Sequence, residues 1–277
     1  MSAQPLTSFD KLCIHTITHK PWSLREVIDN FARENVKGIT VWRGDIEGGS
    51  PVEAGKMIRS RGLEIVSYCR GGFFPAKTAL DRQSAIHDNE RMIDEAAALG
   101  APLIVLVCGA VPGLPLSESR RHIVDGIKAI LPRAKDKGIK LAIEPLHPMY
   151  ADDRSAINTM QQANDVAEEI GSDYVGVAID VYHLWWDPRL EVEIKRCGRM
   201  KKIFAFHICD WKTPTEDILF DRGLMGEGCI DIRKIRGWVE DAGFKGYNEV
   251  EIFSNSRWEK DQADYLSEIK QAYLRHS

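Results

Sequence analysis

Short runs of β-branched and aromatic residues alternate with longer segments of helical periodicity, and the alternation repeats eight times along the chain. The strand candidates are Lys11–Ile17, Gly38–Arg43, Glu64–Cys69, Leu103–Cys108, Lys140–Leu146, Val175–Val181, Ile203–Cys209 and Asn248–Phe253. Alternating strands and helices favour a parallel sheet. Eight such units favour closure into a barrel over an open doubly wound sheet. The sequence therefore predicts an α/β protein that forms a single (β/α)8 TIM barrel.

One domain spanning residues 1–277 is enough to account for the chain. A length of 277 residues exceeds that of most single domains, but α/β barrels commonly reach it as one unit. Hydrophobic residues make up 44% of the sequence, which supplies a core large enough for such a barrel. We therefore expect one barrel domain.

Sequence signals mark where individual helices begin and end. Ser23 is followed three residues later by Glu26, the spacing of a capping box at the start of the first helix. The third helix is predicted to run from about Asp81 to Leu99, and Gly100 follows it in the position that favours glycine as a C-terminal cap.

The loops that follow the strands are longer than those that precede them. Four of them are rich in Pro, Gly, Trp and charged residues, at 109–117, 147–155, 183–190 and 211–229. In (β/α)8 barrels the loops after the strands form the active-site face, so this asymmetry indicates a functional site there. The sequence contains neither GxGxxG nor GxxxxGK[ST], so a nucleotide-binding α/β fold has no local support.

Four acidic or imidazole residues stand near the ends of the last four predicted strands: Glu144, Asp180, His207 and Glu251. A buried carboxylate is costly unless a cation or hydrogen bonds compensate it, and the ends of neighbouring barrel strands bring their side chains together. The set therefore predicts one bound divalent metal ion. Three carboxylates and one imidazole, without a thiolate, favour Mn²⁺ first, with Mg²⁺, Co²⁺ or Zn²⁺ as alternatives.

Charge and the opening segment restrict the expected partners. The chain has 37 Lys and Arg against 41 Asp and Glu, a net charge of −4, and its scattered basic residues do not form a surface for nucleic acid or for an anionic membrane. The opening MSAQPLTSFDK lacks the features of a secretory signal, and no apolar stretch approaches the roughly 18 residues that span a bilayer. We expect a cytoplasmic protein with reduced cysteines and a small polar substrate.

Two loop residues near the predicted metal site have both a functional and a structural interpretation. His147 lies three residues after Glu144, where its ring could act as an additional acid/base above the metal. The alternative is a loop histidine fixed between two prolines. Trp185 could stack against a sugar ring, with packing inside its own loop as the alternative.

Three arginines and one histidine also end or follow strands in the active-site half. Arg43, Arg70 and Arg222 could hold substrate hydroxyls or a phosphate, and surface salt bridges are the alternative, favoured for Arg43. His15, at the end of the first strand, could line the barrel mouth. A buried, hydrogen-bonded histidine is the favoured interpretation of that residue.

Several short motifs resemble those of a known superfamily. IEPLHP, GVAIDVYH, FHICDW, the later GEG and IDI, and EVEIF are similar to motifs of the xylose-isomerase-like TIM-barrel superfamily, in particular its sugar phosphate isomerase/epimerase branch, which includes ketose 3-epimerases. The resemblance covers nearly the whole chain, but this fold hosts several activities. It implies that Glu144 and Glu251 are metal ligands and catalytic acid/bases, that Asp180 and His207 are ligands only, and that His183 contacts the substrate.

The leading hypothesis is a metal-dependent sugar isomerase or epimerase that acts on a keto- or aldo-sugar through a metal-stabilised enediolate. Moving a proton beside a carbonyl requires a base at the C–H bond and a cation at the oxygens that become negative. Two carboxylates on opposite sides of the metal would epimerise the sugar, whereas one base serving a single face would isomerise it or eliminate a leaving group.

Three other functions stay open at this point. The same chemistry could make the chain a lyase that cleaves 3-oxo-glycosides, including C-glycosides, because the α-type subunits of C-glycoside deglycosidases look similar in using a histidine beyond the metal-ligand Glu. An apurinic endonuclease is disfavoured, since the chain has only eight histidines and a negative net charge. A non-catalytic binding barrel has little support. We expect a homo-oligomer, or a hetero-oligomer with a small partner subunit if the chain is a deglycosidase.

Overall fold

Eight parallel strands close into a barrel in the computed structural model, which describes residues 3–277. The strands are β1 (Leu12–His15), β2 (Gly38–Trp42), β3 (Glu64–Gly72), β4 (Leu103–Val107), β5 (Lys140–Glu144), β6 (Val175–Asp180), β7 (Ile203–Ile208) and β8 (Asn248–Val250). The first strand closes the barrel by pairing in parallel with both β2 and β8. The predicted (β/α)8 barrel is confirmed.

Helices of ten or more residues follow the strands and surround the barrel. Within residues 3–277 they are α1 (Leu24–Arg33), α2 (Pro51–Ser60), α3 (Ala79–Leu99), α4 (Leu116–Lys137), α5 (Met160–Ile170), α6 (Leu190–Arg199), α7 (Ile232–Asp241) and α8 (Gln262–His276). Short helical turns occupy Thr16–His19, Arg43–Ile46, Pro148–Tyr150, Val181–Leu184 and Asn255–Trp258. The apolar faces of the eight long helices pack on the outside of the barrel and form the main core with it.

The interior of the barrel contains small side chains where three neighbouring strands face one another. Ala142 in β5, Ala178 in β6 and Ala205 in β7 are fully buried and pack in one cluster with Cys69 and Val105. Small residues at these inward positions leave room for long polar side chains from other strands to enter the barrel. The fold can therefore accommodate charged groups in its interior.

The ends of several elements follow from local hydrogen bonds. The Ser23 and Glu26 capping box is present, and Gly100 ends α3 with a φ of 85°. Helix α3 begins at Ala79, two residues before its predicted start, because the Thr78 side chain accepts a hydrogen bond from the Asp81 backbone amide. Strand β8 ends at Val250, and the carbonyl of Phe253, which the sequence predicted as strand, instead accepts a hydrogen bond from the Arg222 amide.

The long loop after β7 contains a small antiparallel ribbon. Asp210–Trp211 pairs with Arg222–Gly223, and the Asp210 carboxylate accepts backbone hydrogen bonds from Trp211, Gly226 and Ile230. These contacts fix both ends of the intervening segment, 212–221. Residues Leu219 and Phe220 of that segment line the central cavity of the barrel.

None of the helices in residues 3–277 combines the length and the apolar character that crossing a bilayer would need. All six cysteines are free thiols, and five of them are buried.

Candidate metal centre and active site

The structure brings four side chains from consecutive strands into one buried cluster. Glu144 ends β5, Asp180 ends β6, His207 lies in β7 and Glu251 immediately follows β8. One possible ligand atom from each lies within 4.8 Å of those of the others. The alignment of the strands produces this convergence, because Asp180 pairs with His207 in the sheet and the neighbouring strands end at the same face.

Three atoms of this cluster lack hydrogen-bond partners within residues 3–277: Glu144 Oε1 and both ring nitrogens of His207. His207 Nδ1 lies 3.0 Å from Glu144 Oε1, but the two are not aligned for a hydrogen bond, and neither atom finds one elsewhere in residues 3–277. Buried polar atoms are almost always satisfied. A divalent cation coordinated by both atoms would satisfy them, and the three carboxylates and one imidazole suit such a cation.

The electrostatics of the cluster also favour a bound positive charge. Burial alone would lower the pKa of His207, but the neighbouring carboxylates of Glu144 and Glu249 reverse this effect and raise the pKa to about 10. Burial raises the pKa of Asp180 to about 7, opposed by the guanidinium of Arg222. The carboxylates therefore attract a proton, and a metal ion bound here would take the place of that proton.

Arg222 connects two of the acidic groups to a histidine. Its Nη1 lies 2.8 Å from Glu251 Oε2 and 3.2 Å from Asp180 Oδ2. Its Nη2 lies 3.3 Å from Nε2 of His183. All four residues are buried, and the guanidinium packs 4.4 Å above the ring centre of Tyr182. The surface salt bridge considered for Arg222 is wrong, because the residue is 3% exposed and lines the cavity.

A second carboxylate–imidazole pair lies deeper in the barrel. Glu249 in β8 accepts hydrogen bonds from Thr40 at 2.6 Å and Ser67 at 3.1 Å. The His15 ring lies between Glu249 and Glu251. Its Nε2 is 3.4 Å from the Glu249 carboxylate and its Nδ1 is 3.1 Å from the Glu251 carboxylate. Both carboxylates outweigh the effect of burial and raise the pKa of His15 to about 9. His15 is buried, as the sequence favoured.

Glu249 was not singled out from the sequence, although a signal was present. Successive residues of a strand point to opposite faces, so residues two apart share a face. Glu249 and Glu251 in EVEIF have that spacing, and both are buried. A second acidic residue on the inward face of the last strand was therefore detectable.

A cavity of about 240 Å³ opens beside the cluster. Glu144, Glu251, His183 and Arg222 line it on the side of the candidate metal ligands. The remaining wall includes Trp42, Arg70, Tyr150, Arg154, Phe220 and Phe253. Aromatic rings together with a few charged groups are typical of a site for a small polar molecule.

The structure places His147 and Trp185 outside the lining of this cavity. The His147 ring stacks on Trp211 with ring centres 5.1 Å apart and contacts Trp186 edge-on. Its Nδ1 accepts a hydrogen bond from the Met149 amide, and burial lowers its pKa. Trp185 packs against the same Trp211 at 5.7 Å. These four aromatic residues form one loop cluster, and the proposed roles of His147 and Trp185 stay predictions.

Arg43 lies in a different part of the surface. Its guanidinium forms ion pairs with Asp88 at 2.9 Å and Glu95 at 2.8 Å. This arrangement is the salt bridge that the sequence favoured, and it leaves Arg43 away from the central cavity.

Comparisons with known proteins place this geometry in context. The model of a family described as xylose isomerase-like TIM barrel matches residues 28–272. A protein of Sinorhizobium meliloti of known crystal structure is 46% identical, with a TM-score of 0.93 over 96% of this chain and 98% of that one. The structure of the IOLI protein with a bound zinc atom has the same fold, with 21% identity and a TM-score of 0.83 over 95% and 96% of the two chains.

Among curated proteins, an inosose isomerase of Halalkalibacterium halodurans is 27% identical over 185 residues. The alignment covers 65% of this chain and 64% of that relative. This chain thus matches slightly less than two thirds of the length of that relative.

Proposed function

The chain belongs to the xylose isomerase-like TIM barrel family, and on that premise we propose that it is a divalent-metal-dependent isomerase or epimerase of a keto- or aldo-sugar. One observation carries the proposal: the convergence of Glu144, Asp180, His207 and Glu251 on one buried point at the edge of a cavity. The similarity to an inosose isomerase supports it, because an inosose is a cyclic polyol with one ketone. Mn²⁺ is the metal that we propose for this donor set, with Zn²⁺, Mg²⁺ and Co²⁺ as alternatives.

Glu144 and Glu251 are the proposed acid/base pair. A cation bound by the four side chains would polarise the substrate carbonyl and stabilise the negative charge that develops on its oxygen. Both carboxylates line the cavity. Glu144 ends β5 and Glu251 follows β8, and two other strands separate these two. One carboxylate can remove the proton beside the carbonyl while the other returns a proton to the opposite face, which inverts that carbon.

Arg222 and His183 are the proposed substrate-binding residues. Both line the cavity next to the carboxylates. Arg222 Nε and His183 Nδ1 are buried and have no hydrogen-bond partner in the part of the chain that the structure describes. A sugar hydroxyl or carbonyl oxygen would provide the missing partner. Arg222 also orients the Glu251 carboxylate through its 2.8 Å ion pair, and so positions the proposed base.

The position of His147 does not favour the lyase alternative. Protonation of a leaving group by His147 would require its ring to reach the cavity. The ring instead packs on Trp211 and Trp186, and His147 is not among the cavity-lining residues. We therefore propose isomerisation or epimerisation as the function of the site.

Hydrogen exchange with solvent tests the proposal. A panel of ketoses and inososes is incubated with the metal-loaded protein in D₂O, and deuterium at the carbon beside the carbonyl is followed by NMR. We expect deuterium incorporation, because both carboxylates exchange protons with water. We also expect a second sugar that is either a constitutional isomer or an epimer of the first. The Glu251→Gln variant serves as the inactive comparison. The proposal fails if the protein instead cleaves phosphodiesters or releases an aglycone.

A further inference from the structure

Two arginines in the wall of the cavity have no buried acidic partner within residues 3–277. Arg70, near the end of β3, makes neither a hydrogen bond nor an ion pair through its guanidinium within residues 3–277. Arg154, in the loop after β5, has only the exposed Asp153 nearby, at 3.9 Å from its Nε. Both side chains are half-buried, so neither is a freely solvated surface group.

Other arginines in comparable surroundings are paired. Arg43 binds two carboxylates, Arg222 binds Asp180 and Glu251, and the guanidinium of Arg120 donates to the Ala156 carbonyl at 2.8 Å. Half-buried guanidinium groups ordinarily find acceptors, because leaving their donors unused costs free energy. The lack of acceptors at Arg70 and Arg154 is therefore a local property of the cavity wall.

Both guanidinium groups belong to the wall of one cavity and pack on aromatic rings, that of Arg154 at 5.7 Å from the ring centre of Tyr150. The Arg70 guanidinium packs 4.7 Å from the ring centre of Phe73 and 5.9 Å from that of Trp42. Burial lowers the pKa of Arg70, and the positive charge of Arg154 lowers it further. Two like charges against one cavity repel each other until an anion enters between them.

The buried carboxylates around the site already have other partners, and the exposed Asp153 is the one acidic group near this pair. Glu144, Asp180 and Glu251 carry three negative charges, which Arg222 and one divalent cation would balance. The deeper Glu249 has His15 as its partner. The exposed Asp153 contributes little at 3.9 Å, so two positive charges at Arg70 and Arg154 face the cavity and can attract an oxyanion such as a phosphate ester.

We propose that Arg70 and Arg154 bind an oxyanion group of the substrate, so that the enzyme acts on a sugar that carries a phosphate ester or a carboxylate. The planar guanidinium donates two parallel hydrogen bonds to such groups. Because the same cavity is lined by Glu144 and Glu251, one molecule can contact the arginines and the acid/base pair together. This inference rests on the proposed function, since it assigns the oxyanion to the sugar.

Calorimetric titration of the metal-loaded protein with inorganic phosphate, at constant ionic strength, tests the binding site without turnover. We expect saturable binding that weakens about tenfold or more in Arg70→Gln and in Arg154→Gln. Arg61→Gln is the matched control, because it removes the same charge from a surface ion pair with Asp29 and should bind as the unaltered protein does. Arg154 lies in a loop, so its variant remains informative if Arg70→Gln misfolds.

The second arm of the experiment replaces phosphate with acetate. Arginine-dependent binding of acetate without binding of phosphate would identify the oxyanion as a carboxylate, and arginine-dependent binding of phosphate would identify it as a phosphate. The inference is overturned if neither anion binds, or if phosphate binds equally to both glutamine variants, as it would when only the metal holds it. Phosphate binding and deuterium exchange are separate readouts, so failure of one does not imply failure of the other.

Discussion

The imidazole Nδ1 of His15 lies 3.1 Å from the carboxylate Oε1 of Glu251, so the first strand of the barrel supports an acidic group that follows the last. Strands β1 and β8 are direct neighbours in the closed barrel. A carboxylate that binds a metal keeps its orientation through such outer contacts. His15 is therefore expected to position Glu251 without touching the substrate.

We expect His15→Phe to weaken metal binding by about 10- to 100-fold, the usual effect of removing a group that orients a ligand. Phenylalanine fills similar space but has no nitrogen for the Glu251 carboxylate. Titration with Mn²⁺ followed by calorimetry measures the change. His87→Gln is the control, because His87 is exposed on α3. Unchanged affinity in His15→Phe would show that Glu251 does not depend on this contact.

The purified protein is expected to contain about one divalent ion per chain, and prolonged chelation should abolish turnover, because four groups from four strands form a nearly complete site. Asp180→Asn should lose the metal, whereas Asp94→Asn, on the exposed surface of α3, should retain it. Elemental analysis of all three proteins provides the measurement. Full activity in metal-free protein would remove the basis of the proposed chemistry.

Glu144→Gln and Glu251→Gln should each reduce kcat by a factor on the order of 10² to 10⁴, the usual contribution of a general acid or base. The substitutions preserve size, so the thermal midpoint of unfolding should indicate an intact fold. Glu169→Gln, at an exposed ion pair with Lys128, should behave as the unaltered enzyme does. Near-normal rates in both active-site variants at saturating metal would refute the acid/base assignment.

His147→Ala distinguishes the epimerase from the lyase. In an epimerase with two carboxylates, His147 only packs on Trp211 and Trp186, and its loss should change kcat by about twofold or less. A lyase that uses His147 for proton transfer would lose on the order of 10²-fold. Steady-state rates at saturating substrate decide between the two, and a large loss would favour the lyase.

His19 should make the stability of the fold depend on pH. Its ring stacks on Trp22 and contacts Gln262, and burial lowers its pKa from 6.5 to about 4. Between these values the unfolded chain binds the proton and the folded chain does not. The free energy of unfolding therefore falls by about 3 kcal/mol in total as pH decreases through that window. Above the window the neutral His19 contributes this stability in full.

Urea unfolding of the unaltered protein and of His19→Gln at about pH 7 and about pH 5 measures this contribution. The loss of stability between the two pH values should be smaller in the variant by roughly 2 kcal/mol. Other titrating groups are shared by both proteins and cancel in the comparison. Equal losses would show that His19 is not the responsible group.

The sequence predicted the strands and the metal cluster because both depend on local patterns. Strand periodicity places Glu144, Asp180, His207 and Glu251 near the ends of consecutive strands, and barrel geometry then brings such ends together. Only the boundaries differed, as at β8, where the Arg222 amide forms a hydrogen bond with Phe253.

The sequence did not predict the contacts made by loops. His147 follows Glu144 by three residues, but the conformation of its loop turns the ring onto Trp211. Arg154 gave no signal, because its place in the cavity wall depends on how the loop after β5 folds back on the barrel. Such contacts join residues far apart in the chain, and no periodicity encodes them.

The order of the strands separates the proposed metal ligands from part of the cavity wall. All four proposed metal ligands lie after residue 140, from β5 to the residue that follows β8, whereas Trp42 and Arg70 belong to β2 and β3. Mutations at Trp42 and Arg70 can therefore alter which molecule fits the cavity without replacing a ligand. Two genes that descend from one ancestor can therefore keep the same reaction, encoded by the second half of the gene, and diverge in substrate through changes in the first half.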